Sequence, residues 1–204
     1  PAQQVPTMQM SGQRAHRPLP YRTAADSRID ADGSMIIAMA NNGKTGAVLT
    51  VHDNRGKEEP RHYTIGAGER IEDLWKVDAL DLTLHGPNGF WRRFAGGGRD
   101  REVRLLDRPE LDAVELQLEN RSTVPLTFTI ALADSYPAQA ARMRKVTVAP
   151  GKTVGDLWRL SKSDNWYDLS VTLGSDDAAL WHYAGKVENG RPGRTDPAIG
   201  VMRV

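Results

Sequence analysis

The sequence predicts an all-β chain: two tandem small antiparallel β-sandwich (immunoglobulin-like) domains behind a proline-rich N-terminal strap. Three observations predict it. Short segments alternate apolar and polar residues with period two, which buries one face of a strand and wets the other. Turn pairs recur between them, at Asp32-Gly33, Asn42-Gly43, Pro87-Asn88-Gly89 and Pro150-Gly151. The second half of the chain also repeats the first in order, and no stretch carries a helical period.

Residues 1–26 hold Pro1, Pro6, Pro18 and Pro20 without an apolar rhythm. Proline fixes φ and removes a donor, so this stretch reads as an extended strap or linker. Strand signals follow as MIIAMA at 35–40, AVLTVH at 47–52, HYTIGA at 62–67 and LDLTLH at 80–85. A second series is VELQLE at 114–119, LTFTI at 126–130, RKVTVA at 144–149 and YDLSVTL at 167–173.

The repeat is visible without gaps. YTIGAGERIEDLW at 63–75 aligns with VTVAPGKTVGDLW at 146–158, sharing Thr64/Thr147, Gly68/Gly151, Asp73/Asp156, Leu74/Leu157 and Trp75/Trp158. Upstream, Asn41 falls on Asn120 and Thr50 on Thr129. Downstream, LDLTL at 80–84 falls on YDLSV at 167–171, and WRRFAG at 91–96 on LWHYAG at 180–185. Two modules result, at 27–100 and 101–204, with a polar, Gly-rich seam near GGRDREV at 97–103. The tail, KVENGRPGRTDPAIGVMRV at 186–204, reads as an irregular wrap with a sharp turn at Asp196-Pro197.

Composition removes several classes of function. Lys plus Arg is 27 and Asp plus Glu 26, so no bulk charge favours nucleic acid or an anionic membrane. With no cysteine there is no disulfide, Cys-ligated zinc or thiol catalysis. No apolar run reaches ~18 residues, so no transmembrane span is predicted. The start PAQQVPTMQM lacks an initiator methionine and a signal peptide's apolar segment, and reads as a mature or excised piece of something longer.

The motif search yields no catalytic set. His16, His52, His62, His85 and His182 show neither HxH nor HExxH spacing, so no metal site is predicted. His52-Asp53 reads as a strand end rather than a dyad, and DADG at 30–33 as a hairpin turn, since it lacks a calcium loop's terminal glutamate. There is no GxSxG elbow and no phosphate-binding glycine loop, and no cofactor is expected.

The candidate surface or binding residues are Trp91, Arg92, Arg93, Trp166, Trp181 and His182. LHGPNGFWRRFAG at 84–96 is either an anion-gripping loop or a turn into a strand. In a strand Phe90, Arg92 and Phe94 share a face, and the second copy puts Trp181 and Tyr183 at the Arg92 and Phe94 positions. Arg92 is therefore expected at a core rim, stacked on a ring or paired to a carboxylate, with Arg93 and His182 wet. Trp75 and Trp158 read as one core tryptophan per module. DLWRLSKSDNWYDL at 156–169 is either a lipid- or sugar-contacting edge or packing between consecutive strands.

RPLPY at 17–21, YTIGAGERIEDLW, DLTLHGPNGFWRRFAG and WYDLSVT with YAGKVENGRPGRTDPAIG resemble the C-terminal region of bacterial phosphocholine-specific phospholipases C, over nearly the whole chain. Two departures stand out: Lys186 follows Ala184-Gly185 where the family more often has His, and Leu80 precedes Asp81-Leu82 where Tyr is frequent. The resemblance implies two small β domains following a large catalytic domain that cleaves phosphatidylcholine or sphingomyelin to phosphocholine and a lipid. It implies export, by the twin-arginine route, to the periplasm or the extracellular space. It places the catalytic residues outside this chain, so none is carried over. The expected partners are the catalytic domain of the same parent chain and a phospholipid interface. The alternative reading is an independent lipid- or glycan-binding module.

Overall fold

The computed structural model describes residues 13–76, 80–136, 141–174 and 176–198. In chain order the strands are β1 (Ala15–His16), β2 (Thr23–Ile29), β3 (Met35–Asn41), β4 (Ala47–Asp53), β5 (Arg61–Ile65), β6 (Arg70–Trp75), β7 (Asp81–His85) and β8 (Trp91–Ala95). They continue as β9 (Arg101–Arg108), β10 (Ala113–Asn120), β11 (Leu126–Leu132), β12 (Met143–Val148), β13 (Lys152–Arg159), β14 (Trp166–Leu173), β15 (Asp176–Lys186) and β16 (Gly193–Arg194). Two single 3₁₀ turns are the only helical elements among the described residues.

Each module is a seven-stranded sandwich. In the first, β2-β3-β6 packs over β5-β4-β7-β8; in the second, β9-β10-β13 packs over β12-β11-β14-β15. The connections from β3 to β4 and from β5 to β6 cross between layers, as in immunoglobulin-like sandwiches. Strand alternation sets which side is core. In β4, Ala47, Leu49 and Val51 are buried while Val48, between them, is 53% exposed.

The modules do not sit as beads on a string. β8 pairs antiparallel with β15, so the two four-stranded layers fuse into one eight-stranded sheet. The register sets Arg93 opposite His182, Arg92 opposite Tyr183 and Phe94 opposite Trp181. Because Arg93 and His182 are the same position of the repeat, a pseudo-twofold axis passes between them. Closing two sheet edges against each other also removes two free edges that would invite aggregation. The core is correspondingly one cluster across both modules, crossed by the Phe94–Tyr183 edge-to-face pair at 5.7 Å.

Several sequence expectations meet their structure here. The turn at 87–90 is a hairpin in which Asn88 and Gly89 both take positive φ (53° and 71°), the two-residue loop that suits strand twist. DADG closes the β2–β3 hairpin, with the Asp30 amide donating to the Ser34 carbonyl at 2.8 Å. The boundary drawn at residue 26 falls inside β2, and Pro1 and Pro6 lie outside the described residues.

The later strap is held at both ends. β1 pairs with β16 of the tail, the Pro20 carbonyl accepts from the Lys44 amide at 2.6 Å, and the Arg22 carbonyl from Asn42 at 2.8 Å. Gly43 is required there, since a Cβ would lie 2.4 Å from the Tyr21 Cα. The tail is therefore less irregular than read from sequence, and its residues 199–204 lie outside the described region.

Candidate functional site

The repeat builds the same polar anchors twice. Asn41 and Asn120 are fully buried at the ends of β3 and β10. Asn41 Nδ2 donates to the Thr45 and Ile65 carbonyls, and Asn120 Nδ2 to Val124 and Val148. Each asparagine thus satisfies a crossover turn that leaves its layer, where an unpaired backbone acceptor would be costly.

A second pair of anchors was missed in the sequence. Arg61 lies over Trp75, its guanidinium carbon 3.9 Å from the ring, and bonds Asp73 and the Leu74 carbonyl. Arg144 repeats this on Trp158 at 4.0 Å, with Asp156 and the Leu157 carbonyl. Extending the repeat alignment two residues upstream of Tyr63/Val146 would have exposed Arg61/Arg144. The copies differ at one point. Tyr63 donates to Asp73, whereas Val146 cannot, and Asp156 instead accepts from the Trp158 indole. Burial works to raise the Asp73 carboxyl, but the bonds from Tyr63 and Arg61 override it and hold it below the usual value.

Arg92 is the unusual residue at the dyad. It stands where the second module has Trp181, and it is 2% exposed. Its guanidinium stacks 4.0 Å over Phe90, donates to the Trp91 and Ala184 carbonyls, and donates to the Tyr167 hydroxyl at 2.8 Å. Desolvation pushes Tyr167 up to about 12, so the phenol stays protonated while accepting this bond.

The countercharge to Arg92 comes from the other layer. Asp26 on β2 and Asp107 on β9 line a polar cleft where the edges of the two three-stranded sheets meet. The cleft comprises adjoining cavities of about 210 and 220 Å³. Burial pushes Asp26 up to about 6, against the Leu105 amide bond and the field of Arg92 that favour its charge. Burial also raises Asp107, opposed by Arg92 and Arg22. The Leu105 amide donating to Asp26 at 3.0 Å ties β9 to β2, which are not otherwise paired.

The six candidate residues gather around β8, β14 and β15, but not as one open surface. Arg92 is not at a rim; it is interior, stacked on a ring as expected, and bonded to carbonyls and a phenol rather than to a carboxylate. Trp181 is 4% exposed, tilted against Phe128 in the second module's part of the core. Trp166 is also 4% exposed, its indole donating to the Arg194 carbonyl of the tail. Neither is a surface platform, and the three aromatics of DLWRLSKSDNWYDL, Trp158, Trp166 and Tyr167, are all buried.

Trp91 is half-buried and meets the His182 ring edge-on at 4.7 Å. Arg93 and His182 lie on the outer face, as expected, yet neither is simply wet. Arg93 forks onto Asp81, holding that carboxyl below its usual range, and His182 meets Asp168. Asp81 and Asp168 are repeat equivalents, so this contact too is made twice.

His52 and His85 are similarly absorbed. His52 packs edge-on against His85 at 5.4 Å, while Asp53 caps its turn by accepting the Arg55, Lys57 and Glu58 amides. Among the described residues no cluster of three or more His, Asp or Glu could hold a metal ion. None of their helices is long and apolar enough to cross a membrane.

Fold and anchors together define a duplicated β-sandwich module in which Asn41/Asn120, Arg61/Arg144 and Asp81/Asp168 make equivalent bonds within each copy. The chain belongs to the family described as bacterial phospholipase C, C-terminal domain, whose model matches it twice, at residues 15–97 and 101–186. It is 36% identical to a non-hemolytic phospholipase C of Pseudomonas aeruginosa over 98% of this chain and 31% of the relative. It is 36% identical to a non-hemolytic phospholipase C of Burkholderia pseudomallei, over 98% and 30%. A hemolytic phospholipase C of Pseudomonas aeruginosa is 29% identical, over 95% of this chain and 30% of that protein. The chain thus spans about a third of the length of these relatives.

Proposed function

We propose that this chain is the non-catalytic C-terminal accessory region of a secreted phosphocholine-specific phospholipase C. The parent hydrolyses phosphatidylcholine or sphingomyelin to phosphocholine and a lipid. These modules pack on its catalytic domain and stabilise it, and by holding it in place, without binding lipid on their own, they help it dock at a lipid interface. The observation carrying this reading is the duplication itself. Asn41/Asn120, Arg61/Arg144 and Asp81/Asp168 hold equivalent structural bonds in both copies. A site evolved for chemistry would be expected to break that equivalence. The one strong break, Arg92 against Trp181, is consumed by interior bonds.

The burial of Trp166 and Trp181 removes two of the three aromatics on which an independent lipid- or glycan-binding module would rest. The test is an assay of the purified chain on a chromogenic phosphocholine ester, with co-sedimentation on phosphatidylcholine vesicles. The expected result is no turnover and no binding; turnover would make the chain an enzyme, and binding an independent module.

A further inference from the structure

In a chain of nearly balanced charge, six arginines are neutralised at close range. Arg28, Arg61, Arg93, Arg108, Arg121 and Arg144 each hold a carboxylate within 3.0 Å. Of the exposed arginines outside this group, Arg55, Arg70, Arg99 and Arg159 lie singly on separate elements, whereas the strap–tail ribbon gathers four together. Arg14, Arg17, Arg191 and Arg194 are exposed, and among the described residues none of them meets a carboxylate. The strap from 13 to 22, QRAHRPLPYR, contains no acidic residue.

The nearby tail acids are already engaged. Glu188 is buried against Lys186 at 3.1 Å, and Asp196 accepts from the Tyr136 hydroxyl and the Ala198 amide. Four unneutralised guanidiniums on one small ribbon create a local positive field, although the chain as a whole has almost none.

The ribbon is also built to stay in place. Thr195 exchanges bonds with Arg14 through its amide and its hydroxyl, at 2.8 and 2.9 Å. Gln13 donates to the Thr195 carbonyl, and Trp166 anchors the Arg194 carbonyl from below. Gly193 packs where a Cβ would fall 2.7 Å from the Lys186 ammonium. The tail lies beyond the second repeat as the family model bounds it, at residue 186, and has no counterpart in the first module.

We infer that the strap–tail ribbon is a docking surface for an acidic face of the parent polypeptide upstream of the strap. This rests on the accessory reading above. Two observations select that occupant. The strap is the segment leading toward the residues that precede the modules, so a partner joined through it meets the ribbon at high effective concentration. The ribbon also presents no exposed aromatic side chain, since the Trp166 indole faces inward and Tyr21 of the strap is half-buried, and membrane-surface sites usually add such anchors to their basic residues. The arginine forks would meet carboxylates in a salt-sensitive contact that fixes orientation.

The test replaces all four arginines in the parent polypeptide (Arg14→Gln, Arg17→Gln, Arg191→Gln, Arg194→Gln). The same variant of the 204-residue chain should keep its unfolding midpoint, because these side chains are exposed. Small-angle scattering should show a compact wild-type parent that opens in about 0.5 M salt, where screening is strong, and a variant already open at low salt. Proteolysis of the strap should be about tenfold faster in the variant.

Identical scattering and cleavage for the two proteins would overturn the inference. So would a parent unaffected by the substitutions while the isolated chain loses binding to phosphatidylglycerol vesicles, which would assign the patch to membranes. If the substitutions open the parent but deleting the modules leaves its stability and activity intact, the accessory reading fails and the docking surface stands.

Discussion

Arg93 and His182 face each other across the β8–β15 pair, and they occupy the same position of the two repeats. Each turns to the equivalent aspartate of its own module, Asp81 or Asp168. The molecule is therefore a duplicated sandwich fused on its own symmetry axis, and its stability should respond in matched pairs except where the symmetry breaks.

Arg92 is where it breaks. Arg92→Ala removes three bonds and leaves Asp26 and Asp107 without their interior counter-ion, a loss expected at about 3–5 kcal/mol. Arg92→Lys keeps the charge but not the planar fork or the stacking on Phe90, and should cost roughly half as much. Urea unfolding monitored by tryptophan fluorescence measures both.

Arg61→Ala and Arg144→Ala should act alike. Each removes a cation–π contact and a partly exposed ion pair, together worth about 1–2 kcal/mol. The sites lie in different modules, so the double variant should lose the sum to within about 0.5 kcal/mol. Denaturation of the four proteins of this cycle checks equivalence and additivity.

Asn41→Ala and Asn120→Ala each strand one buried carbonyl, of Ile65 or Val148, and drop a second bond to an exposed turn residue, at an expected cost of about 1–3 kcal/mol. Asn41→Asp should be nearly as harmful, since a carboxylate cannot donate to them. Calorimetric midpoints rank the three.

The cleft carboxylate gives an unusual pH dependence. The folded-state pKa of Asp26, about 6, lies above its ordinary value of 3.8. Its contribution is therefore fully present below 3.8 and lost as pH rises through 6. Asp26→Asn, which still accepts from Leu105, should be more stable than wild type at pH 7.5 by about 1–2 kcal/mol, solvent in the cleft reducing the full effect. The advantage should vanish near pH 4. Paired carboxylates such as Asp81, held low by Arg93, work the other way and lose their stabilisation as the pH falls further. Chemical denaturation of both proteins across this range resolves the difference.

How far the sequence could be read follows from where each residue's partners lie. The large sheet was legible because Leu49 and Val51, or Phe128 and Ile130, alternate with threonines and leave a plain period. β2 and β9 were not, because TAADSRI and REVRLLDR put charges where the cleft stays polar and offer few apolar positions. The duplication showed that Arg92 held an aromatic place, yet Asp26 and Asp107, which answer its charge, lie on strands that the pattern did not reveal. Trp166 looked like a surface residue because the segment that covers it, β16, is two residues long and carries no periodicity. The β8–β15 fusion was hidden for a related reason. Pairing between repeats depends on edge geometry, and alternation within a strand says nothing about its neighbour.

The central claim is that these modules support an enzyme whose chemistry lies elsewhere in the parent polypeptide. The most direct measurement compares that parent with and without residues 23–204, recording its thermal midpoint and its hydrolysis of phosphatidylcholine in mixed micelles. The account predicts a lower midpoint and weaker micelle activity for the shortened protein, with turnover of a soluble phosphocholine ester retained. Loss of soluble-ester turnover in a shortened protein that stays folded would contradict it by placing essential chemistry in the modules. Unchanged stability and micelle activity would contradict it by leaving them without a supporting role.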